Sequence, residues 1–151
     1  MEDMVYCQAV QRSTTALMIG KAGTFVPMED LIGTNFGVVV HKDGELILAN
    51  KGLYQLSYTV TIDSFGEEAY VESCLYLQGL GNLPATKQVL MQHENISTMG
   101  NTTLANLDQN CTLRLLVAVS KDKKASVSSA SSKTAITGLN VTASITVLQL
   151  S

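Results

Sequence analysis

The chain has 151 residues and fits a single domain, because two domains of this length would each have a small and marginally stable core. Hydrophobic residues make up 46% of the chain and charged residues only 15%. This is enough apolar surface for a core but little charge for a fully exposed monomer, so we expect a partner to cover part of the surface. The net charge of -3 weighs against nucleic acid as that partner, because neutralising a phosphate backbone takes clustered Lys and Arg.

Strands are predicted along the whole chain, and no segment shows a sustained helical period. In chain order the predicted strands are 5–11, 36–41, 46–48, 53–62, 69–77, 87–92, 97–104, 111–119 and 139–147. Turn residues separate them at short intervals. Many short strands at this spacing predict one all-β sandwich or barrel covering residues 1–151. The Ser- and Ala-rich stretch 120–134 has little to bury and is predicted to be a mobile loop.

The strand over 53–62 has the clearest alternation in the sequence. Its apolar side chains occupy every second position, and polar residues, mostly Ser and Thr, fill the others, so one face is predicted to be buried. The strand over 139–147 alternates in the same way until its phase changes at Leu148 and Leu150. That change predicts either a bulge or the emergence of the strand into a surface between subunits.

Residues 46–60 resemble the central signature of the complement globular-head family, which reads Gly-x-Tyr-x-Phe-x-Tyr-x-Val after a turn. A leucine stands here in the phenylalanine position. Residues 112–115 and 145–150 are also similar to late strands of bacterial and phage members. The matching positions are Gly52, Tyr54, Leu56, Tyr58 and Val60.

The resemblance implies a jelly roll of the complement-head and tumour-necrosis-factor type that assembles as a compact homotrimer. Tyr54, Leu56 and Tyr58 would then lie in the core or near the threefold axis. The alternative is that Tyr54 and Tyr58 are ordinary core residues of a monomeric sandwich. Independently of the resemblance, Gly52 suits a turn position with positive φ at the start of the strand.

No residue pattern points to catalysis or to a cofactor. His41 and His93 lie outside any nucleophile, zinc or phosphate motif. The acidic groups Asp63 with Glu67–Glu68, and Glu29–Asp30, are weak metal candidates because adjacent strand residues point to opposite faces. Cys7, Cys74 and Cys111 lack metal-like spacing, and we expect them to remain thiols. We therefore expect neither enzyme activity, metal nor cofactor.

Two functions fit a non-enzymatic trimeric head. The first is a virion structural protein, a phage capsid-decoration or head-fibre trimer docked on a major capsid or other virion protein. The second is a bacterial surface or spore-coat head domain that binds a receptor or a glycan. The N-terminus lacks the basic and apolar segments of a secretory signal, and no apolar run approaches the roughly 20 residues of a membrane span. We therefore expect no membrane partner, assembly in a host cytoplasm and, in the first case, a place on the virion surface.

The N-terminal stretch 1–11 has two interpretations. Its apolar residues Met4, Val5, Tyr6 and Val10 are candidates for a docking arm that reaches a neighbouring protein. The alternative is that the stretch forms an edge strand of the domain.

Overall fold

A computed structural model of the chain describes residues 6–10, 15–19, 23–32, 38–40, 44–62, 69–92, 97–120 and 136–151. These residues form two antiparallel β-sheets and one short 3-10 turn, Pro84–Thr86. The all-β jelly-roll sandwich predicted from the sequence is confirmed. The described residues contain no helix long and apolar enough to span a bilayer.

The strands are β1 (Tyr6–Val10), β2 (Thr15–Ile19), β3 (Thr24–Val26), β4 (Asp30–Ile32), β5 (Val38–Val40), β6 (Leu46–Leu48), β7 (Gly52–Ile62), β8 (Ala69–Leu77), β9 (Gly81–Asn82), β10 (Gln88–Gln92), β11 (Ser97–Leu107), β12 (Cys111–Ser120) and β13 (Ile136–Gln149). The first sheet has six strands in the order β11-β7-β13-β1-β4, with β2 paired to β13. The second sheet has seven strands in the order β10-β8-β12-β6-β5, with β3 paired to β12 and β9 to β8.

The core lies between the sheets and is built from alternate residues of the long strands. In β7 every second side chain from Tyr54 to Ile62 is buried. Leu113, Leu115 and Val117 of β12 are buried from the opposite sheet. This arrangement follows from the two-residue period of a strand, which sends successive side chains to opposite faces. The remaining face of each sheet is turned away from the core.

The N-terminal segment is part of the first sheet. Tyr6–Val10 pairs with β13 along its whole length, and Gln8–Val10 also pairs with β4 on its other side. Cys7 and Ala9 are fully buried. For residues 6–10 the expectation of a free docking arm or an edge strand is therefore corrected, because the segment is an interior strand. Met4 and Val5 lie outside the described residues.

The sequence also predicted a mobile loop at 120–134 and, as one explanation of the phase change, a bulge at Leu148. The predicted loop 120–134 lies outside the described residues except for Ser120, which ends β12. The bulge predicted at Leu148 is absent, because β13 keeps a regular register with β7 from Val141 to Gln149. The register of β13 shifts instead between Ile136 and Leu139, where the strand pairs with β2.

Candidate interaction surface

The residues of the signature lie on the buried face of β7. Tyr54, Leu56, Tyr58 and Val60 are each at most 3% exposed. They pack in one cluster with residues of both sheets, including Leu115. Their position in the core of one chain means that they are not available as a contact surface.

Gly52 has a different role from the one predicted. It is absent from the described glycines with positive φ, so turn geometry does not require a glycine there. A Cβ at this position would instead overlap the backbone oxygen of Ser151 and come within 2.8 Å of Nε2 of Gln149. Gly52 therefore gives room for the end of β13 to lie across the start of β7.

The hydroxyl group of Tyr58 connects the two sheets inside the core. It donates to the carbonyl oxygen of Thr86 at 2.6 Å and lies 2.9 Å from the hydroxyl of Ser73, which can donate to it. Thr86 in turn accepts a hydrogen bond from the Leu75 amide at 2.9 Å and donates to the Leu83 carbonyl at 2.7 Å. Desolvation by burial raises the pKa of Tyr58. The network holds the 3-10 turn against the core and links the two sheets.

The outer face of the first sheet is almost free of charge. Its six strands contain a single charged residue, Asp30 in β4. Rows of hydroxyl groups cross β11, β7 and β13, and in one row Oγ1 of Thr61 lies 3.0 Å from Oγ1 of Thr98. The rows consist of Thr98, Thr61 and Thr142, of Gly100, Thr59 and Ser144, and of Thr102, Ser57 and Thr146.

One end of this face is apolar rather than hydroxyl-lined, and we name it the leucine end. It comprises Leu53, Leu104, Leu148 and Leu150. Leu104 and Leu148 flank Gln55 in one cross-strand row, and the Leu150 amide donates to the Leu53 carbonyl at 2.7 Å. Leu104 is 60% exposed and Leu150 44%. The phase change at Leu148 arises because a half-buried leucine occupies the outer face of β13, where Thr142, Ser144 and Thr146 are polar.

On the outer face of the second sheet, several side chains stack on one another. Phe25 and Tyr76 pack with ring centroids 5.1 Å apart, and the guanidinium carbon of Arg114 lies 4.4 Å above the Phe25 ring. Nε and Nη2 of Arg114 both donate to Oε2 of Glu45, at 2.9 and 2.6 Å. Under this layer Cys74 is fully buried. This stack could not be predicted from the sequence, because its members come from four separate segments.

Two of the described cysteine thiols, Cys7 and Cys74, are fully buried. Burial raises the pKa of the Cys7 thiol to about 11. Burial also raises the pKa of Cys74 to about 11, where the charge of Lys87 acts to lower it and that of Glu72 to raise it. Both thiols are therefore protonated at neutral pH and are poor nucleophiles. Among the described residues no group of three His, Cys, Asp or Glu side chains could hold a metal ion. His41, His93 and the acidic group of Asp63 with Glu67–Glu68 lie outside the described residues.

The predicted docking residues do not come together at one exposed site. Tyr6 and Val10 occupy opposite ends of β1, paired with Leu148 and Ser144 of β13. The Val10 side chain is half-buried, and its carbonyl accepts the Glu29 amide at 2.9 Å. The outer face of the first sheet, with its leucine end, is therefore the candidate interaction surface. Sequence reasoning indicated only Leu148 and Leu150, as one explanation of their phase change. It missed the rest, because the members of this surface come from three strands and share a face only through their register.

Comparison with known proteins identifies the fold. No protein-family model matches the chain, and no curated protein matches it by sequence. Solved structures do match over nearly the whole length of both chains. The globular domain of zebrafish complement 1qA protein is 7% identical, covers 97% of this chain and 98% of its own, and has a TM-score of 0.64.

Two tumour-necrosis-factor-type structures match to a similar extent. Eiger TNF from S. frugiperda is 6% identical and covers 99% of this chain and 94% of its own, with a TM-score of 0.67. Murine APRIL is 12% identical and covers 98% of this chain and all of its own, with a TM-score of 0.59. The chain therefore has the jelly-roll fold shared by complement globular heads and tumour-necrosis-factor-type domains.

Proposed function

We propose that the protein is a non-enzymatic structural module that assembles as a homotrimer through the outer face of its first sheet. The observation that carries this proposal is the composition of that face: hydroxyl rows, a leucine end and a single charged residue in six strands. A surface that stays in water normally carries both signs of charge. Depletion of charge is instead the compositional mark of the buried part of an interface.

A second copy of the chain is the partner that suits this face. In a ring of three this face packs against a different surface of the next copy. An uncharged face meets that surface without like-charge repulsion, and exposed leucines such as Leu104 gain from being removed from water. The described part of the outer face of the second sheet suits an uncharged contact less well, because it carries the stack of Phe25 and Tyr76 with the charged side chain of Arg114. Three is the copy number that the resemblance to complement and tumour-necrosis-factor heads implies.

We further propose that this trimer decorates a particle, as a phage capsid-decoration or head-fibre protein bound to a major capsid or other virion protein and assembled in the host cytoplasm. The alternative is a bacterial surface or spore-coat head domain that binds a receptor or glycan. Both rest on the signature and late-strand resemblance to bacterial and phage members. A jelly roll supports either, because a symmetric assembly leaves one pole for attachment and the other for solvent.

A charge placed in the leucine end of the outer face tests the self-association. Gln55 is exposed and lies between Leu104 and Leu148, so Gln55→Lys should leave the isolated fold intact. In the assembly it would bury an unpaired charge in an apolar contact, and we expect the mass in solution to fall to that of one chain. The matched control is Gln78→Lys at an exposed turn position away from this face, which should keep the wild-type mass. Equal masses for both variants would refute the outer face as the interface.

Particle binding is tested separately by co-sedimentation. The wild-type protein is mixed with particles purified without it and, in parallel, with intact bacterial cells or spores. Saturable binding to particles alone supports the virion role, and binding to cells or spores alone supports the alternative. Binding to neither would refute both the virion role and the alternative. It would not bear on the proposed trimer.

A further inference from the structure

The free edge of the first sheet is a long strand without the usual protection. β11 (Ser97–Leu107) pairs with β7 on one side and ends the sheet on the other. It is 11 residues long and contains neither a charged residue nor proline. Edge strands normally carry such residues, because a row of unpaired N–H and C=O groups is a template for another strand. Two copies of this edge meet without like-charge repulsion.

Side chains occupy the middle of this edge instead. The outward amide of Gly100 donates to Oε1 of Gln88 at 2.9 Å, and the next outward amide, that of Thr102, donates to Oδ1 of Asn101 at 2.8 Å. Both contacts are exposed, so they satisfy donors that an added strand would otherwise use. In the part of the chain that the structure describes, no side chain caps the amides of Leu104 and Asn106 further along the strand.

We propose that Gln88 and Asn101 are edge guards that block antiparallel pairing of β11 with β11 of a second copy. The two amides that they cap lie in the middle of the edge and divide it into short segments. The Leu104 carbonyl, on the same edge, also accepts a hydrogen bond from the Thr103 hydroxyl at 3.3 Å. A pairing that begins at the amides of Leu104 and Asn106 therefore cannot extend along the strand. The occupant of the opened edge is an identical strand, because antiparallel pairing of β11 with itself forms a closed two-fold contact.

The experiment compares the masses of guard variants with that of the wild-type protein, whatever number of copies the wild type contains. Gln88→Ala with Asn101→Ala frees both amides while removing no buried side chain. We expect a species of twice the wild-type mass, formed at a concentration about tenfold to a hundredfold lower than any such species of the wild type. Each single variant should have a smaller effect. Sedimentation velocity over a concentration series measures this.

Two further variants distinguish edge pairing from nonspecific association. The matched control, Gln78→Ala with Asn106→Ala, removes the same side-chain types from exposed positions that cap no amide, and should keep the wild-type mass. Adding Asn106→Pro to the guard variant deletes an outward N–H without removing apolar surface, and should restore the wild-type mass. The proposal is overturned if the guard variant keeps the wild-type mass, if the control associates equally, or if Asn106→Pro has no effect. If the wild type is a monomer, edge pairing gives twice its mass. If the wild type is a trimer, each of its three copies carries a β11 edge, so twice its mass is the smallest product and larger products count equally as edge pairing.

Discussion

Removal of one oxygen atom, by Tyr58→Phe, tests the hydrogen-bond network that joins the two sheets. The phenylalanine ring fills the same space, so packing is preserved. The Thr86 carbonyl loses a donor at 2.6 Å and the Ser73 hydroxyl loses a partner at 2.9 Å, both in the buried core. A net hydrogen bond contributes about 0.5–1.5 kcal/mol, and a buried group left without a partner costs about 1–3 kcal/mol. We therefore expect the free energy of unfolding to fall by about 1–3 kcal/mol.

Urea unfolding followed by circular dichroism measures this loss, with Tyr54→Phe as the matched control. The Tyr54 hydroxyl also donates at 2.6 Å, but its acceptor is the carbonyl of Asn50, an exposed residue that water can reach. We expect the control to lose about 0.5 kcal/mol or less. Equal losses for the two variants would show that the Tyr58 network is not a buried link between the sheets.

Three further predictions follow from the same core. Leu56→Asp should prevent folding, because it buries a carboxylate without a partner. Ser57→Asp, on the outer face, should keep the β-sheet circular dichroism spectrum. Folded protein in both cases would refute the assignment of Leu56 to the buried face of β7. Gly52→Ala should lower the free energy of unfolding by about 1–3 kcal/mol in urea, because its Cβ displaces Ser151, and wild-type stability would contradict that contact. The Cys74 thiol has a pKa raised from 9.0 to about 11 by burial, so its contribution to stability is complete below pH 9 and is lost as the pH rises to 11. Cys74→Ala should flatten the fall in unfolding free energy over that range, and an unchanged slope would contradict the burial of this thiol.

The sequence predicted the long strands because their burial follows the two-residue period. The predicted bounds of β6 and β8 agree with the structure, and those of β7 and β12 agree within one residue. β2, β3 and β4 were missed, because they are three to five residues long and have no complete alternation. β3, for example, is formed by pairing with residues 115–117, some 90 positions later in the chain. Such strands are set by tertiary pairing rather than by local pattern.

The candidate surface was less predictable than the fold. The signature residues were found because they alternate within one strand, but they belong to the core. The outer face depends on register: Leu104, Gln55 and Leu148 share a row only because β11 and β13 pair with β7 at those positions. Register over such sequence distances is not contained in local periodicity. The role of Gly52 could not be predicted from the sequence either, because the segment that approaches it lies at the C-terminal end of the chain.

The mass of the wild-type protein in solution decides whether three copies of this chain assemble, and the mass of Gln55→Lys decides whether they do so through the outer face of the first sheet. Light scattering coupled to gel filtration at micromolar concentration gives each mass independently of shape. For the wild type we expect a single species of three chain masses. A species of one chain mass that persists as the concentration rises would contradict it.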